Sequence, residues 1–134
     1  MESTENYLQI MIDSLTKKGE YLDRILDKNS LQFDCIRNKE YEDIDWNVFN
    51  VLVAEKEAVI DRITEIDEGF SKIYERIRDD VLANKDKYRE NVGRLQEIIS
   101  ELTDKGVSIQ TGEERNRQII EGIFNRTRKE IKKQ

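Results

Sequence analysis

Apolar residues recur every three or four positions along most of the chain, which is the spacing of helices with one buried face. The pattern predicts three long helices, at about residues 3–38, 44–82 and 85–133. A helix with a single apolar face needs other helices to cover it. The sequence therefore predicts an all-α fold, an elongated antiparallel three-helix bundle or coiled coil, with residues 1–134 forming a single helical domain.

Each predicted helix carries its own apolar stripe. The stripe of the first helix follows a seven-residue step, with polar Asn29 in one slot, through Leu8, Leu15, Leu22 and Ile36. The second stripe is interrupted by Lys56 and otherwise contains Phe49, Leu52, Val59, Ile63, Ile66, Phe70, Ile73 and Ile77. The third contains Tyr88, Val92, Leu95, Ile99, Leu102, Ile109, Ile120 and Ile123. Asp43 or Asp45 is expected to cap the second helix.

Two helix boundaries are weakly marked. The turn between the second and third helices, near residues 82–85, contains neither Gly nor Pro, and without it residues 45–134 would form one helix that needs a second copy. Gly106 and Gly112 favour a break within residues 104–112, since glycine weakens a helix by about 1 kcal/mol. The unbroken seven-residue step from Leu95 to Ile123 favours continuity. We expect a continuous but softened third helix.

The polar residues inside the stripes allow two interpretations. Glu113 and Asn116 either pair inside the bundle and set its register, or mark a stretch that is not buried. Lys56 is expected to bury its alkyl stem and lift its amine to solvent. Cys35, beside Phe33 and Ile36, is expected to be a small buried apolar residue.

Composition disfavours catalysis. The 134 residues include no histidine and a single cysteine, whereas zinc sites need several such ligands and the usual general base near neutral pH is histidine. We expect no enzymatic activity, no cofactor and no metal site. The start of the chain is acidic, unlike a signal peptide, and no apolar run is long enough for a membrane span. We therefore expect a cytoplasmic protein.

Charge is distributed unevenly. Residues 1–83 carry 11 basic and 20 acidic groups, whereas residues 115–134 carry 7 basic and 2 acidic groups. This basic end of an acidic chain either binds an acidic partner or supplies cations that complement the dipole of a helix C-terminus. No nucleic-acid partner is expected, because the basic residues are not interleaved with aromatic residues that stack on bases.

Residues 53–60 (VAEKEAVI), followed by Ile63 and Ile66-Asp67, resemble the central helix of the FlgN-type flagellar export chaperones. Residues 43–52 occupy the place of that family's link between its first two helices, and residues 109–117 with Phe124 are similar to its C-terminal helix. The resemblance implies a helical chaperone in flagellum biogenesis and type III secretion. Its implied partners are flagellar hook-associated (hook–filament junction) proteins, whose premature assembly it prevents, with the export apparatus as a second candidate.

The resemblance places cargo binding on the C-terminal helix, within a candidate mobile end at residues 109–134. The residues it implies there are Ile119, Ile120, Ile123, Phe124, Arg126 and Arg128. The third helix, with a length of ~75 Å, could extend beyond the first helix, with a length of ~54 Å, and leave these apolar residues uncovered. Alternatively, they pack on the start of the second helix or in a homodimer. The alternative function is accordingly a structural, homodimeric coiled-coil or adaptor protein without transient cargo.

Overall fold

The computed structural model of the chain describes residues 3–133 and consists almost entirely of helix. Helix α1 spans Thr4–Ile36, α2 spans Trp46–Ala83 and α3 spans Arg89–Lys133. A short 3-10 turn at Tyr41–Asp43 lies in the connection between α1 and α2. The predicted all-α class is confirmed. The parts of the sequence predictions that concern residues 1, 2 and 134 lie outside the described residues.

Local signals explain where the helices begin and end. The Ser3 hydroxyl accepts the amide of Asn6 at 3.1 Å and caps α1. The Asp45 carboxylate accepts hydrogen bonds from the backbone amides of Asn47 and Val48. Asp45, and not Asp43, is therefore the residue that caps α2. Asn38, in the connection after α1, has a positive φ of 57°, a conformation that Asn tolerates better than most residues.

The two weakly marked boundaries are now defined. Helix α2 ends at Ala83 and a turn leads into α3 at Arg89, so the chain folds back on itself. Helix α3 runs without interruption through residues 104–112, as the continuous seven-residue step predicted.

Helix α1 lies between the other two helices. It runs antiparallel to α2, with Lys18 against Asp67 and Lys28 against Glu55, and parallel to α3, with Asp23 against Lys105. Within the described residues, no Cα atom of α2 comes within 8 Å of a Cα atom of α3. Helices packed at the usual axis separation of about 8–10 Å bring some Cα atoms closer than that. Helices α2 and α3 therefore lie farther from each other than either lies from α1, and we call this widely spaced side the open side of the bundle. Side chains of both helices still meet in the core.

The core is a chain of three clusters along α1. One surrounds Leu8, Met11 and Leu15 at the turn end of α2 and α3, and a second surrounds Leu22, Ile25 and Val59 in the middle. The third, at the opposite end, joins Ile36, Ile44, Phe49 and Ile123. Such a core is long and narrow, which suits the chain's modest apolar content.

One stripe assignment was wrong by a single position. Ile99 was expected to face the core, but its side chain is 45% exposed, whereas Ile98 is 4% exposed. Helix α3 meets α1 with Leu95 and Ile98 because α1 is its main packing partner. Cys35 is partly buried against the third cluster, in keeping with the expected small apolar role.

Asp80, near the end of α2, ties the turn end of the bundle together. Its carboxylate accepts hydrogen bonds from the Thr4 hydroxyl at 2.6 Å, the Tyr88 hydroxyl at 2.8 Å and the Asn84 amide at 2.8 Å. The hydrogen bond from Thr4, then that from Tyr88, lowers the pKa of Asp80 below its ordinary value of 3.8. A single carboxylate thus joins the start of α1, the end of α2 and the turn into α3.

None of the described helices combines the length and the apolar character that crossing a bilayer requires.

Candidate functional site

The open side between α2 and α3 deepens into a groove at the end of the bundle away from the α2–α3 turn. This α2/α3 groove has a volume of about 690 Å³. Its floor includes Gln32 of α1. Its walls are Phe49, Val53 and Lys56 of α2 and Ile109, Gln110, Glu113, Glu114, Asn116, Arg117, Ile120, Glu121 and Phe124 of α3. Most of this surface is apolar, with charged side chains along the α3 lip.

Aromatic rings cluster around Phe49 and Phe124, which line the groove. The ring of Trp46 lies 5.5 Å from that of Phe49 and 5.9 Å from that of Phe124, and Tyr41 lies 5.4 Å from Trp46. The Trp46 indole nitrogen donates to the backbone oxygen of Tyr41 at 3.3 Å. Tilted and edge contacts at these separations are favourable for aromatic pairs. The rings therefore fix the connection between α1 and α2 against the last third of α3.

A buried polar network lies beside the groove. The Lys56 ammonium donates to the Asn29 side-chain oxygen at 2.9 Å and to Glu113 at 2.8 Å. The Asn116 amide donates to the backbone oxygen of Asn29 at 3.0 Å. The expectation that the Lys56 amine reaches solvent was wrong: the residue is 8% exposed because Asn29 and Glu113 hold its amine inside. Of the two interpretations of Glu113 and Asn116, pairing inside the bundle holds for Asn116, which is 4% exposed. Glu113 pairs with Lys56 from a side chain that is itself 48% exposed.

The α3 lip carries a second set of charges. The Arg117 guanidinium donates to both carboxylate oxygens of Glu114, at 2.6 and 2.7 Å, and to Glu121 at 2.8 Å. The hydrogen bond to Arg117 lowers the pKa of Glu114, and the same contact raises the pKa of Arg117. The three carboxylates Glu113, Glu114 and Glu121 outnumber the two cations Lys56 and Arg117. The net charge of these groove residues is therefore negative.

The six residues predicted for partner binding do not form one surface. Ile120 and Phe124 line the α2/α3 groove. Ile119 and Arg126 face a different depression, on the other side of α3, next to Ile36 and the following residues. Ile123 lies between the two sides, with 0% of its surface exposed. Ile119, Ile120 and Ile123 therefore pack in a cluster with the start of α2, which was the alternative interpretation of their pattern. The Phe124 side chain stays 41% exposed.

The two arginines lie at the surface. Arg126 pairs with Glu40 in the connection after α1, at 3.3 Å. Arg128 donates to the side-chain oxygen of Asn125, one turn earlier in α3. Residues 128–133 are all exposed. The basic end of α3 therefore lacks cover, and Phe124 in the apolar segment before it is also 41% exposed.

Comparison with known proteins gives no relative from which a function could be transferred. No family model matches the sequence, and no curated protein or solved structure matches it with significant similarity. The resemblance to the FlgN-type chaperones therefore stays a prediction, and the site has to be interpreted from its own residues.

The sequence interpretation missed the α1 and α2 sides of the groove. Phe49 and Val53 were treated only as core or motif residues, and Gln32 was not considered. A signal for Gln32 existed: it continues the seven-residue step of Met11, Lys18 and Ile25, so a polar residue stands where an apolar one is expected. What the pattern could not show is that α2 and α3 are held apart, because periodicity defines a face but not what covers it.

Proposed function

We propose that the protein is a cytoplasmic export chaperone that acts by binding and not by catalysis. It captures an amphipathic helix of a client protein in the α2/α3 groove. The observation that supports the proposal is the apolar groove on the open side of the bundle, where no Cα atom of α2 lies within 8 Å of a Cα atom of α3 in the described part of the chain. Laying an apolar helix face into such a groove is a common mode of peptide recognition.

The charge around the groove specifies the client helix further. Three carboxylates on the α3 lip, Glu113, Glu114 and Glu121, outnumber the cations Lys56 and Arg117, which they already bind. Basic side chains flanking the apolar face of a client helix would complement this lip. Such complementarity contributes to specificity and to the association rate more than to affinity.

The resemblance to the FlgN-type family supports hook–filament junction proteins as the client class. A helix held in the groove cannot pair with another copy of its own protein, so capture would prevent premature assembly. No step of this mechanism requires a cofactor. The export apparatus would release the client by competing for it, and the exposed basic end, residues 128–133, is the proposed contact with that apparatus.

A titration of the purified chain against the hook–filament junction proteins of the same organism tests the proposal. We expect micromolar or tighter binding. Phe124→Asp should weaken it at least ten-fold, because a charge would enter the apolar wall. The matched control is Ile131→Asp, which places the same charge on an exposed residue of α3 away from the groove.

Charge reversal gives an independent comparison. Glu121→Lys should weaken binding of a client helix with basic flanks, whereas Glu130→Lys, the same change outside the groove, should not. Absence of binding by every hook–filament junction protein would overturn this client class. A concentration-dependent dimer in light scattering, lost in Phe124→Asp, would instead favour the homodimeric coiled-coil alternative.

A further inference from the structure

Gln32 differs from the other buried polar side chains of the bundle. The described residues include four such side chains: Asn29, Gln32, Lys56 and Asn116. Asn29, Lys56 and Asn116 hydrogen-bond one another or nearby groups. The carboxamide of Gln32 makes no hydrogen bond with any described residue, although Gln32 is only 2% exposed. It is thus a nearly buried amide whose hydrogen-bonding capacity is unused.

Gln32 lies on the α2/α3 groove. Every side-chain nitrogen or oxygen of the described residues that is fully shut off from solvent has a hydrogen-bond partner. The amide atoms of Gln32 therefore keep the small accessible surface of this residue, and Gln32 forms part of the groove floor. An occupant that seals the groove would remove the last access of this amide to water.

Sealing the groove with a purely apolar helix face carries a cost. A carboxamide has a carbonyl oxygen that accepts and an NH2 group that donates. Burying it without a partner loses the hydrogen bonds that it made with water, which weakens binding by about ten-fold or more. A second carboxamide is the complementary group, because its NH2 group can donate to the Gln32 oxygen while its own oxygen accepts from the Gln32 NH2 group.

We infer that the groove selects a client helix that carries Asn or Gln in the middle of its apolar face, paired with the carboxamide of Gln32. This inference rests on the proposed capture of a helix and adds the chemistry by which one helix is preferred. It also sets the register of the bound helix, as a single buried polar residue does in coiled coils. A helix shifted by one turn would bury both amides without partners.

Designed peptides test this selection without knowledge of the natural client. The probe is an amphipathic 21-residue helix, ~32 Å long, with a leucine face and lysine flanks. One version has leucine throughout the face, and three others carry a single Gln at successive positions of the stripe, which covers the possible registers. Binding of each peptide is measured by fluorescence anisotropy to the parent chain and to Gln32→Leu, whose folding is checked by thermal melting.

The parent chain should prefer one of the Gln peptides over the all-leucine peptide by about ten-fold, and Gln32→Leu should reverse this preference. Gln32→Asn tests the same pairing with a shorter amide and should keep part of it. Equal preference ratios in the parent and in Gln32→Leu would overturn the selection while leaving helix capture intact. Failure of all four peptides to bind the parent would overturn helix capture and this inference together.

Discussion

The ammonium nitrogen of Lys56 lies 2.9 Å from the side-chain oxygen of Asn29 and joins the middle of α2 to the middle of α1. Each residue interrupts an otherwise apolar stripe, and the two interruptions meet. Asn29 also accepts Asn116 of α3 through its backbone oxygen. A polar layer that connects all three helices fixes their register, because a shift of one turn would leave buried polar groups unpaired.

Replacing one polar residue of this layer should lower the free energy of unfolding more than replacing two of them together. Asn29→Leu takes away a partner of the buried Lys56 ammonium and should lower the free energy of unfolding by about 1–3 kcal/mol. The double variant Asn29→Leu with Lys56→Met replaces both polar groups with apolar ones and should recover much of that loss. Urea denaturation of the parent, both single variants and the double variant measures this coupling. Additive effects would mean that the contact does not stabilise the fold.

Asp80 should make the turn end of the bundle sensitive to acid. Because its pKa is lower in the folded chain than its ordinary 3.8, its contribution to stability is present above that value and is lost as the pH falls through the folded pKa. Asp80→Asn removes this contribution. The stability difference between parent and variant should therefore shrink as the pH falls from about 5 to about 2. Melting temperatures across this range provide the measurement.

Asp79→Asn is the control for the acid experiment. Asp79 is the neighbouring carboxylate, with a side chain that is 96% exposed. Its variant should follow the parent at every pH. The same pH dependence in both differences would show that net charge, and not the hydrogen bonds of Asp80, determines the acid response.

Ile123 should contribute far more to stability than to partner binding. It is fully buried between Ile36, Ile44 and Phe49, so Ile123→Ala leaves a cavity and should cost about 2–5 kcal/mol. Ile131→Ala, at a position 66% exposed, should change the free energy of unfolding by less than about 0.5 kcal/mol. Similar unfolding midpoints in urea for the two variants would contradict the placement of Ile123 in the core.

Gly106 should be a site of easy stabilisation. Among the described residues, no atom outside the local helix lies within 4 Å of a Cβ placed there. Gly106→Ala should therefore gain about 0.5–1 kcal/mol, the helix preference of alanine. Gly112→Ala should gain less, since its Cβ would lie 3.4 Å from the Asn29 amide nitrogen. A lower melting temperature for Gly106→Ala would show that the helix is under a constraint at this point.

Periodicity predicted the helices well because a buried face leaves its spacing in the sequence. The regular stripe of α2 and the unbroken step from Leu95 to Ile123 correspond directly to elements of the structure. The wrong choice between Ile98 and Ile99 has a different origin, since both residues fit a helical face and only the position of α1 selects one of them. For the same reason, the sequence could not show whether the amine of Lys56 is buried or reaches solvent.

The candidate site was predictable only in part, for a related reason. The sequence indicated that the segment around Ile119–Phe124 is unusually apolar, but it did not show that Ile120 lines the α2/α3 groove while Ile119 lines the depression beside the connection after α1. The groove itself arises from the separation of α2 and α3, which has no local signature in either helix.

Chemical shifts of the isoleucine methyl groups test the central claim most directly. The chain is labelled at its isoleucine δ1 methyl groups and mixed with an equimolar hook–filament junction protein. Capture in the α2/α3 groove predicts that Ile109 and Ile120, which line it, shift, while the exposed Ile10 and Ile131 do not. Binding that shifts Ile10 or Ile131 and leaves Ile109 and Ile120 unchanged would contradict the account.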